Sequence, residues 1–445
     1  MPARPARGTV KLQCVAVAVS GGRDSTALWH ATARAARGSD LRVVALHVHH
    51  GLQPDADEWV AHLQRQTRRW AAGGLSVSLS WRRLPGAPGA GDSVEGWARR
   101  ERYVALAAMA RACGAGVVLL AHHRRDQAET FLLQALRGAG PAGLAAMPRE
   151  ALRDGIVWAR PWLEQSRRAI DAYVQRHRLS FVDDLSNDDR ALARNRLRHE
   201  VWPALAASFD QASTSLAASA RRAQEASECL RELAALDARQ VCTRGDRLAA
   251  ADWLALSSAR RANLLRAWLS GLGDAGVPET LVQRLLHELP RAAANAAWPW
   301  SGGELRLHAG QLQVVTARAS TPAAIEPLRM DLSRAGRHVV AAWRGAFEVH
   351  HVDDGGLAPD RLRCCELRVR GGGEQFQRSR RSTPRSLKKQ FQSAGVPSWQ
   401  RDGPLLYADG QLLYAPGLGI DARASAEAGQ AMLGLRWLPD GAAPA

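Results

Sequence analysis

In the first third of the chain, short apolar runs alternate with longer segments whose apolar positions recur at helical spacing. Cys14 to Val19, Leu41 to Gly51 and the run from Gly116 are dominated by aliphatic and β-branched residues, the pattern of strands buried on both faces. From Leu75 the sequence LSVSLSWRRL alternates apolar and polar positions, as a strand with one wet face does. The segments between predict helices: Ala27 to Ala36, Asp55 to Ala71 with Trp59, Leu63 and Trp70 among its apolar positions, Ser93 to Cys113, and Arg124 to Arg137. Strands and helices alternating at these lengths predict an α/β domain with a parallel sheet and right-handed crossovers. Ligands on such a sheet bind beyond the carboxyl ends of the strands. Three of those ends carry Ser20-Gly21-Gly22, His47-Val48-His49-His50 and His122-His123.

The pattern changes twice downstream. From about Phe209 to Leu289 the chain is rich in Ala, Leu and Arg, with long helical periodicity and few turns, so a helical domain is expected over 209–320 after a sheet domain over 1–208. Residues 321–364 read as an irregular linker. From Leu367 short apolar runs and glycine turns, as in LLYADGQLLYAPGLG, predict a small α+β C-terminal domain over 365–445.

Length and composition add constraints. At 445 residues the chain exceeds one ordinary core, in line with this division. Sixty basic residues against 43 acidic ones give a net charge of +17. Only Lys11, Lys388 and Lys389 are lysines, so nearly all of that charge is arginine. Arginine-biased codon usage explains the choice of cation but not the surplus over acids, which argues for a polyanionic partner, nucleic acid first. The six cysteines show no C-x-x-C spacing, against a zinc knuckle, an iron–sulfur site or a redox dithiol. No apolar run is long enough to span a membrane, and no apolar leader precedes the first strand. A reduced, cytoplasmic enzyme is expected.

The candidate chemistry starts where the first strand runs into SGGRDS. Two glycines at a strand end let a ligand approach the main chain closely, and Ser25 and Thr26 open a helix whose free N–H groups and dipole favour phosphate. The usual ATPase sequence G-x-x-x-x-G-K-[ST] is absent, so backbone, hydroxyls and arginine would hold the phosphates. In VEGWARRERY, Glu95, Arg99 and Arg102 share a helix face. In AHHRRDQAET, Asp126 and Glu129 lie three apart just past a buried strand, where two carboxylates suit a cation or an ammonium group, and His122 is placed to meet a phosphate or a reacting base. LRGAGPAGLAAMP, beginning before Arg137, is a glycine-rich loop without a function readable from its residues alone. FVDDLSNDDRALARNRLRHEVWP packs Asp183, Asp184, Asn187, Arg194, Asn195, Arg196 and Arg198 together, a density of arginine suited to phosphate or RNA backbone.

SGGRDS resembles the pyrophosphate-releasing loop of the PP-loop ATP pyrophosphatases. Together with HVHHGL, EGWARRERY, AHHRRDQAET, RGAGPAGL, RPWLEQSRRAI and DDLSNDDRALARNRLRHEV, in this order, the chain resembles the tRNA(Ile)-lysidine synthases. The likeness covers the N-terminal domain almost continuously and resumes at GVPSWQRDGPLLYADGQLLY. Arg23 fills the variable loop position, Arg124 and Arg125 stand in place of a commoner small and acidic pair, and Leu185 stands where proline is usual.

The resemblance implies a Rossmann-like PP-loop domain and an ATP-dependent ligase. That enzyme joins L-lysine to carbon 2 of the wobble cytidine in the CAU anticodon of a minor isoleucine tRNA, through an adenylated cytidine. It implies that Ser20, Gly21, Gly22, Arg23, Asp24 and Ser25 hold ATP, with Asp24 on magnesium. Asp126 and Glu129 would hold lysine, and Arg99 and His122 would stabilise charge around the adenylate. Arg194, Arg196 and Arg198, with Arg380, Arg381, Arg385, Lys388 and Lys389 in a C-terminal basic cluster, would contact tRNA. A homodimer is compatible with this reading. The alternatives are a PP-loop tRNA thiolase, which would want paired cysteines, an amidotransferase-type synthetase, which would need a glutaminase segment, and a non-catalytic RNA-binding protein on a decayed ATP fold.

Overall fold

The computed structural model describes residues 13–49, 51, 56–84, 86, 94–182, 190, 192–244, 247–272, 277–293, 296–300, 303–315, 326–397, 401, 403–427 and 430–439. The chain divides into two compact units, Met1–Glu232 and Leu233–Ala445.

The first unit is built on a six-stranded sheet of β1 (Cys14–Ala18), β2 (Arg42–His49), β3 (Val77–Arg83), β4 (Val117–Leu119), β5 (Glu150–Arg153) and β6 (Ile156–Ala159), in the order β3-β2-β1-β4-β6-β5. All neighbours are parallel except the β5–β6 hairpin at the edge. The apolar runs of β1 and β2 are buried because both faces are covered. One face packs α1 (Arg23–Ala35), α2 (Ala56–Ala72) and α6 (Arg167–Arg176) through Trp29, Leu63, Trp70 and Ile170. The other packs α3 (Val94–Ala112) through Trp97, Leu106 and Met109. The chain leaves β1 for one face and reaches β4 from the other, so the loops after these adjacent strands diverge and leave a crevice at the reversal of strand order. Helix α4 (Arg124–Leu136) starts at that crevice, and the short α5 (Pro141–Leu144) follows it.

After a segment that ends the described run at Val182, α7 (Ala193–Arg196) continues through a π-helical turn, Leu197–Val201, into α8 (Trp202–Ser208). Helix α9 (Ala212–Val241) follows, and within the first unit its Gln224 amide donates to the carbonyls of Ala145 at 2.7 Å and Met147 at 2.9 Å, holding the loop after α5. In that loop a Cβ on Gly143 would lie 2.6 Å from the Ala139 Cβ, so glycine is required there.

The second unit departs from the helical domain expected over 209–320. Helices α10 (Ala250–Ala255), α11 (Ser258–Ser270) and α12 (Glu279–Glu288) pack on an antiparallel sheet of β7 (Cys242–Arg244), β8 (Arg247–Ala249), β9 (Ala297–Trp300), β10 (Gly303–His308) and β11 (Gln311–Val315). Trp253, Leu264, Leu285, Trp298 and Leu305 form their shared core. The expected linker over 321–364 likewise holds β12 (Leu328–Met330), β13 (Gly336–Val340) and β14 (Gly345–Val352). These belong to the C-terminal fold: β14 pairs with β21 (Met432–Pro439) along its whole length, and β12 pairs with β15 (Cys365–Arg368). β16 (Gln375–Phe376), β17 (Arg385–Ser386), α13 (Leu387–Ser393), β18 (Leu405–Ala408), β19 (Gln411–Ala415) and β20 (Gly419–Ile420) complete it. The antiparallel strands close over Phe347, Leu406 and Trp437, and a smaller core forms around Phe376 and Phe391.

Candidate functional site

Strand β1 delivers Ser20-Gly21-Gly22 to the crevice. Gly21 has φ +96°, a conformation that favours glycine, and Gly22 caps α1 with extended backbone. The loop is tied to itself: the Ser25 hydroxyl donates to the Gly22 carbonyl at 2.9 Å, the Ser20 amide donates to the Ser25 hydroxyl at 3.2 Å, and the Gly22 amide donates to the Ser20 hydroxyl at 3.3 Å. It is tied to its neighbours as well. The Val182 amide donates to the Gly21 carbonyl at 3.0 Å, and the buried His47, at the end of β2, hydrogen-bonds the Val19 carbonyl at 2.8 Å. A preformed glycine turn at a helix N-terminus, braced on both sides, is a phosphate cradle.

Asp24 projects from the first turn of α1 toward the start of α4. Its carboxylate lies 3.7 Å from His123 Nε2 and 3.6 Å from the Arg167 guanidinium, yet Oδ1 is buried with no hydrogen-bond partner. Burial raises its pKa above the usual aspartate value, and the pull of His123 does not offset this. Arg23 pairs with Asp171 at 2.9 Å while its Nε stays 4.0 Å from Asp24 Oδ1, beyond hydrogen-bond reach.

Asp126 and Glu129 sit where β4 feeds α4, and both are buried. Asp126 caps its own helix: Oδ2 accepts from the His123 amide at 3.0 Å, and Oδ1 accepts from Arg198 at 2.7 Å. Burial would raise its pKa, but His123, His122, Arg198 and Arg194 together hold it below the usual range. Glu129 is fully buried and meets three arginines. Arg198 Nε bridges its two oxygens at 3.0 and 2.8 Å, Arg125 donates at 3.2 Å and Arg194 at 3.3 Å. Arg194 also donates to the Thr130 hydroxyl at 2.9 Å.

Both oxygens of Glu129 are thus met by guanidinium groups. Arg194 and Arg198 do not face outward with Arg196; they turn inward onto the carboxylates. Of that trio only Arg196 is exposed, donating to the Arg190 carbonyl at 3.3 Å.

His122 carries an unpartnered Nδ1. Burial pushes its pKa down to about 4, past the opposing pull of Asp126, so the imidazole is neutral near pH 7 and acts as a hydrogen-bonding ring rather than a cation. Arg99 is exposed on α3, its guanidinium 5.6 Å from the centre of the Tyr103 ring, and its charge reaches His122. The sequence placed His123 at a strand end and singled out Arg125 without giving either a role, and it missed Arg167, which only the fold of α6 brings to Asp24. His50, Asp183, Asp184, Leu185 and Asn187 lie outside the described residues.

The C-terminal basic cluster is on the surface of the second unit. Arg381, Arg385, Lys388 and Lys389 are exposed around β17 and the start of α13, and Arg380 donates to the Ser425 and Ala426 carbonyls. No group of three or more metal-ligating side chains occurs among the described residues, and all six cysteines are free thiols, with Cys14 buried in β1 beside Cys113.

Three family models match the chain: a PP-loop domain over residues 4–205, a TilS substrate binding domain over 248–313 and a TilS substrate C-terminal domain over 365–437. A tRNA(Ile)-lysidine synthase of Ralstonia nicotianae is 40% identical over 93% of this chain and 90% of that one. Proteins of the same name from Burkholderia pseudomallei and Pseudomonas aeruginosa are each 39% identical, over 96% and 88% of this chain and 93% and 86% of theirs.

Proposed function

The chain belongs to the tRNA(Ile)-lysidine synthases, and from that membership we propose how its own residues carry the ligation of lysine to the CAU wobble cytidine of a minor isoleucine tRNA. The observation that carries the reading is the side-by-side placement of a braced phosphate cradle and a neutralised carboxylate cluster, bridged by His123 between Asp24 and Asp126.

In the first step the cytosine 2-carbonyl oxygen attacks the α-phosphorus of ATP, forming one P–O bond as the bond to pyrophosphate breaks. The backbone of Gly21 and Gly22 and the hydroxyls of Ser20 and Ser25 suit the phosphates. Asp24, with a buried, unpartnered oxygen, suits magnesium, which binds through one or two carboxylates plus substrate phosphates and neutralises developing phosphate charge. In the second step the ε-amine of lysine, having lost its proton, forms the bond to carbon 2, and the C–O bond breaks to release AMP. Esterification matters because an unactivated oxygen at carbon 2 is a poor leaving group. His122, as a neutral ring, can hydrogen-bond the activated base without adding charge, and Arg99 supplies the cation beside it.

Asp126, whose side chain retains about 10% exposure, is the carboxylate an incoming lysine ammonium can reach. Glu129 is a positioning residue that holds Arg198, which in turn holds Asp126. Asp126→Asn is therefore expected to weaken the apparent affinity for lysine by roughly ten- to a hundredfold, the loss of one charge-assisted hydrogen bond. The ATP dependence of the same reaction should move little. A collapse in ATP affinity with lysine affinity intact would assign Asp126 to the nucleotide instead.

Methionine tRNAs share the CAU anticodon, so the target base cannot identify the substrate. One base contact discriminates by about 1–3 kcal/mol, and several contacts away from the anticodon are needed. The exposed cluster of Arg381, Arg385, Lys388 and Lys389 suits that work. Changing these four to alanine should weaken rejection of methionine tRNA and lower the salt slope of binding by about 0.9 for each phosphate no longer neutralised. Unchanged selectivity and slope would move tRNA recognition elsewhere. The assay of the function as a whole incubates the full chain with ATP, radiolabelled lysine and minor isoleucine tRNA. Label should enter the tRNA only when all three are present, and the reading fails if it does not.

A further inference from the structure

We propose that the first unit carries a second nucleotide-binding pocket, apart from the phosphate cradle, between the C-terminal halves of α1 and α2 and the chain leaving α6. The pocket is a cavity of about 350 Å³, large enough for a mononucleotide. Its titratable lining is entirely basic. Arg65, Arg69 and Arg178 stand exposed around it, and His30, His62 and His177 lie deeper. No carboxylate is among the described lining residues, and none of the three arginines has an ion-pair partner among the described residues.

Three arginines converging without an acid are unfavourable unless an anion joins them. The inner wall asks for more than an anion. Gln66, 6% exposed, donates to the Ser180 carbonyl at 2.9 Å but leaves its buried Oε1 without a partner. A buried acceptor left empty costs free energy, and a ligand that brings donors as well as negative charge satisfies both walls. A nucleotide does so: its phosphate suits the arginine rim, and its sugar hydroxyls or base amine suit Gln66. Burial is the main cause that lowers the pKa of His30, to about 4, and of His62, so both rings are neutral near pH 7; His30 hydrogen-bonds the Tyr173 hydroxyl at 2.9 Å, and His177 lies against Arg34 at 3.0 Å.

The backbone at the rim supports the assignment. Arg178 follows the last turn of α6 with φ +46°, the left-handed position where glycine is usual, while the Leu179 amide closes the turn on the Val174 carbonyl at 3.1 Å. A charged side chain thus stands at a backbone position that disfavours any side chain. From there the chain runs through Ser180, which Gln66 holds, to Val182, whose amide holds Gly21 of the phosphate cradle. One continuous segment thus lines the new pocket and braces the catalytic loop.

The test is equilibrium dialysis of the full chain with radiolabelled AMP, alongside Arg178→Gly and Arg65→Ala/Arg69→Ala. Neither variant touches the residues assigned to catalysis, and Arg178→Gly relieves the left-handed strain, so its thermal midpoint should hold or rise. The wild type is expected to bind two AMP molecules per chain, and both variants should retain one while weakening the other by roughly tenfold or more. A short RNA lacking CAU, added as competitor, separates two sources of the same chemistry. Displacement of the second AMP marks an RNA nucleotide as the ligand, and no displacement marks a free one. One AMP per wild-type chain, or two sites that both survive in folded variants, overturns the proposal.

Discussion

Asp24→Asn is expected to abolish tRNA adenylation while making the protein more stable. The carboxylate stands in the first turn of α1 with one oxygen buried and unpartnered, and burial dominates its environment. Removing the group proposed to position a metal-bound phosphate in a preorganised site is expected to cost at least about a hundred- to a thousandfold in rate. The stability effect follows from the raised pKa. Between the usual aspartate value near 3.8 and the higher folded value, the folded state binds more protons than the unfolded one, so this group makes stability fall as pH rises through that window. Above the window the charge is a standing cost, which asparagine removes. Thermal melts from pH 3 to 8 should show the variant gaining on the wild type as pH rises and keeping the gain at pH 7, while pyrophosphate release is lost. A folded variant that releases pyrophosphate at the wild-type rate would remove Asp24 from the mechanism. One that melts lower at pH 7 would show that His123 and Arg167 outweigh burial.

This opposition of activity and stability at one residue also explains what could be read without coordinates. The inner strands of the first sheet announce themselves because strands covered on both faces leave few polar positions, as in CVAVA of β1, whereas β3 shows only by its alternation and the short edge hairpin β5–β6 left no comparable signal. The phosphate cradle is legible for a related reason: consecutive glycines followed by Asp24 and Ser25 contradict both strand and helix, and such local conflict marks function. The carboxylate cluster was legible in its members but not in its partners. Nothing in RNRLRHEV tells which arginines turn inward, because that depends on a π-helical turn beginning at Leu197 and on where α7 crosses α4. In the second unit, β7 to β11 are only three to six residues long, and β7 and β8 sit directly after and before Ala/Leu/Arg-rich helices, so little in the sequence marks them until their pairing partners are known. The hairpin of β13 and β14 looks irregular in sequence because its remaining partner, β21, lies some eighty residues downstream.

Arg198 is the residue whose loss should be felt most widely, since it ties the two carboxylates together. Its Nε meets both oxygens of Glu129 and its Nη2 meets Asp126, and both attractions hold its pKa above the usual arginine value against the cost of burial. Arg198→Met keeps much of the side-chain volume but leaves Glu129 with only Arg125 and Arg194 and frees one oxygen of Asp126. Breaking a buried pair from one side costs about 3–5 kcal/mol, and the 30% exposure of the Arg198 side chain reduces this to roughly 1–3 kcal/mol. Lysine transfer should fall further than stability, because Asp126 loses the guanidinium that orients it. Glu129→Gln should reproduce both defects through the same chain of hydrogen bonds. The double variant should then be less damaging than the two single effects summed, by about 1 kcal/mol or more in stability, as expected for residues in one network. Acid titration gives an independent readout. Asp126 is held below its usual 3.8, so the stability it contributes is present above that value and lost as pH falls through the depressed folded value. Removing Arg198 weakens one source of that depression, so the variant's stability should depend less steeply on pH in the acid range. Strict additivity of the two substitutions, with an unchanged acid slope, would mean that Asp126 is held by His123 alone and that Glu129 and Arg198 serve only the packing of α7 against α4.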